Sequence, residues 1–301
     1  MNGVVVIDKP AGLTSHDVVN RVRRILGQRS VGHLGTLDPS ATGVLPIVFG
    51  NLTRLAQFYV HSEKTYEGVI RFGFATDTYD ADGEPTTPVQ DVNINCDELR
   101  ALAAQFRGTI EQMPPPFSAK KVAGVPAYKL ARKKQEVALK PVQVEIKEFE
   151  ILEATGGPTK AQATFRARVA SGTYIRSLAH DMGQKLGCGA HLASLRRTAA
   201  AEFAIEDAHS LEALETAMRQ GIVESLFVHP RMLVPQFPCV TANEESAALI
   251  RSGRAVNLPE MSRAPQVKVF YGQRDLIAIA TRIAGTLFHP GIVFANENNS
   301  R

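Results

Sequence analysis

The chain has 301 residues, 44% of them apolar and 21% charged, with a formal net charge of +4. That length suits about two domains with room for a sizeable core, and no apolar run approaches the roughly 18 residues of a membrane-spanning helix, so the expectation is a cytoplasmic protein without a signal peptide. Cys96, Cys188 and Cys239 are odd in number, far apart and not in a Cys-x-x-Cys pair, which argues against a disulfide framework or a zinc site and reads as buried thiols.

In chain order, Gly3 to Ile7 reads as a short buried strand that ends at the turn Asp8-Lys9-Pro10-Ala11-Gly12. Ser15 is expected to cap a helix with Val18, Val19, Val22, Ile25 and Leu26 on one face and a stop at Gly27. A strand from Val44 to Phe49, a short helix from Leu52 to Tyr59 and an alternating strand from Lys64 to Phe74 follow. Residues 77 to 98 are acidic and turn-rich, ahead of a helix carrying Leu99, Leu102, Ala103 and Phe106 that Gly108 should end. Strands near 142 to 153 and 161 to 170 come next, then a helix from about Tyr174 to Leu186 and a capped helix from Ser210 to Arg219. After Met232, Pro235 and Pro238 suggest a linker to a small β-rich module with a helix from Asn243 to Ser252 and strands near Val267 to Tyr271 and Leu276 to Ala280; Asn296 to Arg301 is expected to be disordered.

Charge is unevenly spread. Between Pro116 and Pro141 stand Lys120, Lys121, Lys129, Arg132, Lys133, Lys134 and Lys140 against the single acid Glu136, an excess of six that exceeds the net charge of the whole chain. Such a patch meets phosphates and makes binding salt-sensitive, or it is simply a solvated helix face. Prolines at both ends of about 113 to 141 mark it as an excursion from the sheet.

The stretch Gly32 to Pro46 places one carboxylate, Asp38, in a loop shaped by Gly32, Gly35 and Gly43 and by Pro39 and Pro46. An Asp before Pro in such a loop can cap a turn. A phosphate cradle does not fit, since no lysine lies between Lys9 and Lys64. The third reading is a carboxylate that acts on a substrate.

Gly35-Thr36-Leu37-Asp38-Pro39 with Ala41-Thr42-Gly43 resembles the signature of the synthases that convert uridine 55 in the T-arm of tRNA to pseudouridine. Further segments agree in family order: Asp8-Lys9-Pro10-Ala11-Gly12-Leu13-Thr14-Ser15, then Lys64-Thr65-Tyr66 with Thr76 to Gly83, then Gly172-Thr173-Tyr174-Ile175-Arg176-Ser177-Leu178, and Gly187 to Leu192 with Leu195-Arg196-Arg197. The match covers roughly residues 3 to 200. It departs at Leu34, where the family usually carries a threonine beside the histidine.

The resemblance implies an α+β pseudouridine-synthase fold: a mixed, largely antiparallel central sheet flanked by helices in a catalytic domain over 1–235, with a PUA-like RNA-binding domain over 236–301. It implies Asp38 as the catalytic carboxylate, Arg176 as the cation that compensates it, and Tyr66 as the ring that lies against the base and helps at C5. Tyr174 and Leu195 would line the same pocket, and His33 would fill the space left by the flipped base. Lys9 and Pro10 would support the catalytic region. Lys120, Lys121, Lys129, Arg132, Lys133 and Lys134 would contact RNA on an arm that closes over the T-loop. The reaction needs no cofactor and no metal, and tRNA is the expected partner. Two alternatives stand beside it: a guide-RNA-dependent pseudouridine synthase, and a non-catalytic chaperone of tRNA folding.

Overall fold

Gly3–Lys9 is buried at nearly every position because the sheet it joins is covered on both faces. Val5 and Ile7 face one core cluster, and Val4 and Val6 face another. The computed structural model describes residues 1–117, 121–122, 125–126, 139–157 and 160–294.

The strands of the main sheet are β1 (Gly3–Lys9), β2 (Val31–His33), β3 (Thr42–Phe49), β4 (Lys64–Phe72), β5 (Gly108–Gln112), β6 (Val142–Thr155), β7 (Gln162–Val169) and β8 (Ala190–Ala200), with the short strand Phe203–Ala204 beside β8. Their order is β1-β3-β8-β4-β7-β6-β5, with β2 also on β3. Every pairing is antiparallel except that of β3 with β8. The expected mixed, largely antiparallel sheet is therefore present. Among the described residues, four α-helices accompany it: α1 (Ser15–Ile25), α2 (Cys96–Ala104), α3 (Ile175–Lys185) and α4 (Leu211–Arg219). They bury Val18, Val22, Leu99, Leu178, Met182 and Leu214 against one face of the sheet, in the same cluster as Leu45, Ile47 and Phe165.

The opposite face receives the carboxyl-terminal module. Cys239–Ala242 (β9), Val256–Asn257 (β10), Gln266–Tyr271 (β11), Asp275–Ala284 (β12) and Leu287–Val293 (β13) form a five-stranded sheet, accompanied by Glu244–Arg251 (α5). Phe270, Leu276, Ile279 and Ile292 from this sheet join Val4, Val6, Val44 and Val48 in one cluster, so the two sheets share a core. The fully buried Lys268 ammonium donates to the carbonyls of Arg231 (2.8 Å) and Leu233 (2.6 Å), stapling the connecting segment to the module.

Several expectations shift. Thr14, not Ser15, is the N-cap of α1, in a reciprocal capping box with Asp17, because the Ser15 hydroxyl is engaged elsewhere. α2 stops at Ala104, before Phe106, and Gly108 opens a strand instead of ending the helix. Gly50–Phe58 is a 3-10 helix. Of the three cysteines only Cys188 is buried; Cys96 and Cys239 are half-exposed. β8 gives no clear sequence signal because two register irregularities, between Leu192 and Ser194 and between Arg197 and Ala199, break its two-residue period. Asn296 to Arg301 lies outside the described residues.

One contact fixes how β3 approaches β8. Gly43 has φ +100, and a Cβ there would lie 2.2 Å from the Arg197 carbonyl oxygen and 2.9 Å from its nitrogen. Gly43→Ala is therefore expected to destabilise the fold by more than about 1 kcal/mol, read as a lower denaturation midpoint; an unchanged midpoint would show that the strands can part there freely.

Candidate active site

Asp38 is held because both its chain neighbours are. The Leu37 amide donates to Ser15 Oγ (2.8 Å), and the Ser15 hydroxyl donates back to the Leu37 carbonyl (3.1 Å). On the other side, the Pro39 carbonyl accepts from the Gly12 amide (2.9 Å) and from the Lys9 ammonium (3.1 Å). Lys9 also donates to Leu13 O (2.6 Å) and Pro10 O (2.9 Å), and its side chain is fully buried. Burial pushes the Lys9 ammonium down to about 8, against the opposing pull of Asp38. Arg197, also fully buried, is a third anchor: Nε donates to Val44 O (2.7 Å), Nη1 to Thr36 O (3.2 Å) and Nη2 to Gly35 O (3.0 Å). The loop that holds Asp38 is thus cross-linked to β1, α1, β3 and β8.

The carboxylate so positioned meets a guanidinium. Arg176, in the first turn of α3, places Nε 3.0 Å from Asp38 Oδ2 and Nη2 3.3 Å from Oδ1. The arginine side chain is 8% exposed and that of Asp38 42%, so the cation is sunk in the protein while the acid faces outward. Arg176 is fixed from behind. Its Nη1 donates to Thr78 O (3.1 Å) and lies 3.3 Å from Asp80 Oδ2, and Nη2 donates to Phe117 O (3.0 Å). Burial raises the Asp80 carboxyl, an effect that the Thr78 hydroxyl and Arg176 oppose. Asp80 follows Tyr79, a non-glycine residue at φ +65 whose ring stacks on His180 with centroids 3.8 Å apart. A guanidinium surrounded this way cannot swing off Asp38 without leaving buried acceptors unpaired.

The pair borders a cavity of about 460 Å³ lined by His33, Asp38, Tyr66, Tyr174, Arg176 and Leu195, among others. That volume lies within the usual range for small-ligand sites. Tyr66, near the start of β4, is 9% exposed and in register with Arg197 on β8. Tyr174 is the N-cap residue of α3, and its backbone is clamped by the buried Gln112 side chain, which accepts from Tyr174 N (2.8 Å) and donates to Tyr174 O (3.0 Å). Leu195 packs against the core from the cavity side. His33 accepts from the Gly35 amide through Nδ1 (3.3 Å), and burial followed by the nearby Arg197 charge holds its imidazole below the usual range, favouring the neutral form. Leu34, the departure noted in the sequence, is 5% exposed and packs with Val4, Val6 and Val44.

All six residues expected at the catalytic and substrate positions therefore share one cavity, and Lys9 holds the Pro39 carbonyl next to Asp38 in the chain, while Pro10 is exposed. Lys120, Lys129, Arg132, Lys133 and Lys134 fall outside the described residues, and only the backbone of Lys121 is placed, in a two-residue strand paired with Val125–Pro126. Asp80, Ser15 and Arg197 are positioning groups to which local reading assigned no role at the site. Each acts through a contact 22 or more residues away in sequence, for which a local pattern carries no signal. Among the described residues no group of His, Cys, Asp and Glu is placed to hold a metal ion.

Residues 23–175 match the model of the TruB family pseudouridylate synthase N-terminal domain, and residues 176–234 match that of the tRNA pseudouridylate synthase B C-terminal domain. The chain is 48% identical to the tRNA pseudouridine synthase B of Solibacter usitatus, over 97% of this chain and 100% of that one. It is 41% identical to the protein of the same name from Aquifex aeolicus, over 95% and 98% of the two chains. Among solved structures, a chain of a Cbf5-Nop10-Gar1 complex superposes with a TM-score of 0.71 at 25% identity, covering 98% of this chain and 86% of that one. An H/ACA RNP bound to a substrate RNA gives a TM-score of 0.70 at 24% identity over the same shares, a likeness of fold.

The neutral His33 has a measurable consequence. Its native pKa lies below the 6.5 of the free group, so the unfolded chain takes up the proton first, and stability present above pH 6.5 is lost as the pH falls from there through the native value. Denaturant unfolding at about pH 7.5 and about pH 5.5 should show a larger loss for the wild type than for His33→Gln; equal losses would mean that His33 titrates alike in both states.

Proposed function

The chain belongs to the TruB family of pseudouridylate synthases, and we propose that it converts uridine 55 in the T-arm of tRNA to pseudouridine, with Asp38 as the catalytic carboxylate. The protein is an isomerase, a tRNA pseudouridine synthase. The observation that carries the site assignment is the ion pair of Asp38 with a buried, doubly held Arg176 at the edge of a nucleoside-sized cavity.

The reaction breaks the bond from C1′ to N1, turns the uracil and joins C1′ to C5. The proton lost from C5 is balanced by one gained at N1, so no atom is added or removed. A carboxylate beside the sugar can attack the ribose or the base, or take a proton from C2′. Arg176 offsets the Asp38 charge once RNA shuts out water, because its fork matches the two carboxylate oxygens. Tyr66 lies against the flipped base and assists at C5, with Tyr174 and Leu195 completing the apolar wall. Extruding a base costs a few kcal/mol, which stacking on such surfaces offsets. His33, uncharged, fills the gap left in the RNA stack.

In this reading residues 1–235 form the catalytic domain, with the basic segment of about 113–141 as an arm that closes on the T-loop through phosphate contacts, and residues 236–301 form a second RNA-binding domain of PUA type. Arg176 links chemistry to the arm, since its Nη2 donates to Phe117 O at the arm's base (3.0 Å). The tRNA substrate is favoured over a guide-RNA complex by relatives at 41% to 48% identity that are named tRNA pseudouridine synthase B.

Release of tritium from 5-tritiated uridine in a transcribed tRNA measures the step at C5. Asp38→Asn should abolish it, by a factor of at least about 10³, while tRNA binding stays within a few-fold of wild type. Retained turnover in a folded, tRNA-binding Asp38→Asn variant would remove Asp38 from the chemistry.

A further inference from the structure

Among the described residues, the charged side chains that line the cavity are Asp38, Lys64, Arg176 and Arg197, three cations against one anion. Arg176 is matched by Asp38 and Asp80. Lys64 and Arg197 have no carboxylate partner among the described residues. Arg197 is sealed in, with Nε, Nη1 and Nη2 all spent on carbonyl oxygens, so it supplies charge but is not free to move. Lys64 is half-buried, and its ammonium gives one bond to Ser62 O (2.6 Å) out of the three it can donate.

The two cations meet at Gly35. A Cβ placed there would sit 3.6 Å from Lys64 Cε and 3.6 Å from Arg197 Nη1, and Gly35 itself lines the cavity. Burial pushes the Lys64 ammonium down to about 8, and the Arg197 charge pushes the same way. Two like charges held against one cavity wall are costly unless an anion joins them. The sugar and the base of a uridine are neutral, so the anion that such a substrate brings is a phosphate.

We propose that the Lys64 ammonium, backed by the fixed charge of Arg197, seats one of the two phosphates that flank the flipped uridine, and so holds the ribose beside Asp38. This rests on the reading that the cavity takes a uridine of an RNA chain. The contact carries no base specificity. Lys64 is a substrate-binding residue in this account, and Arg197 a positioning residue that acts through Lys64 and the loop.

The test is a chemical double-mutant cycle on a T-arm hairpin in which the phosphate 5′ or 3′ to the target uridine is replaced by an uncharged methylphosphonate. One of the two replacements should weaken wild-type binding roughly tenfold, and Lys64→Gln should weaken binding of the unmodified hairpin to a similar degree. Combined, the two changes should cost no more than either alone, and which replacement behaves so tells the 5′ phosphate from the 3′. Lys64→Arg should restore much of the affinity. Neither methylphosphonate weakening wild-type binding, or losses that multiply in the combined case, would overturn the proposal, and the wild-type arm stands even if Lys64→Gln fails to fold. Wild-type turnover of the unmodified hairpin, run in parallel, tests the parent reading separately.

Discussion

Everything at this site depends on one ion pair with unequal burial. Asp38 reaches the cavity with a partly exposed carboxylate, and the guanidinium that neutralises it is almost wholly enclosed. An exposed pair of this kind would be worth little and would open readily. Here Arg176 is held by Asp80, Thr78 O and Phe117 O as well, so the protein fixes the cation and leaves the acid accessible. The arrangement suits a carboxylate that must stay charged while a substrate displaces the water around it.

The same logic extends outward through the fold. The Asp38 loop is fixed by groups from three separate elements, and each uses a side chain to satisfy backbone carbonyls or amides. Lys9 comes from the first strand, Ser15 from the first helix and Arg197 from β8, whose close parallel approach to β3 requires Gly43. Buried cations thus do structural duty in the loop and also give the cavity its positive wall. The carboxyl-terminal sheet backs β1 and β3 through a shared core, so the strands that carry these anchors are covered on both faces.

Much of this was legible in the sequence. The segments bearing Asp38, Tyr66, Tyr174, Arg176 and Leu195 stand out as motifs, and the structure gathers them around one cavity. The helices were readable from their caps and apolar faces, as Ser210 before α4 and Asn243 before α5 illustrate. What local pattern could not supply was long-range pairing. Ser15 looked like a helix cap, yet its hydroxyl bridges to Leu37, 22 residues on. Asp80 lay in a recognised acidic turn, but its service to Arg176 comes from a fold contact 96 residues apart in the chain. β8 was hidden by its bulges, and with it the parallel pairing that sets Arg197 against the loop.

The central claim is that Arg176 serves Asp38 in the chemical step and not merely RNA in binding. Single-turnover rate and tRNA affinity of Arg176→Lys, measured on the same preparation, test it most directly, because lysine keeps the charge but loses the fork that spans Asp38 and Asp80. The account predicts a chemical rate reduced by about 10² or more with affinity within a few-fold of wild type. Equal losses in rate and affinity would contradict it.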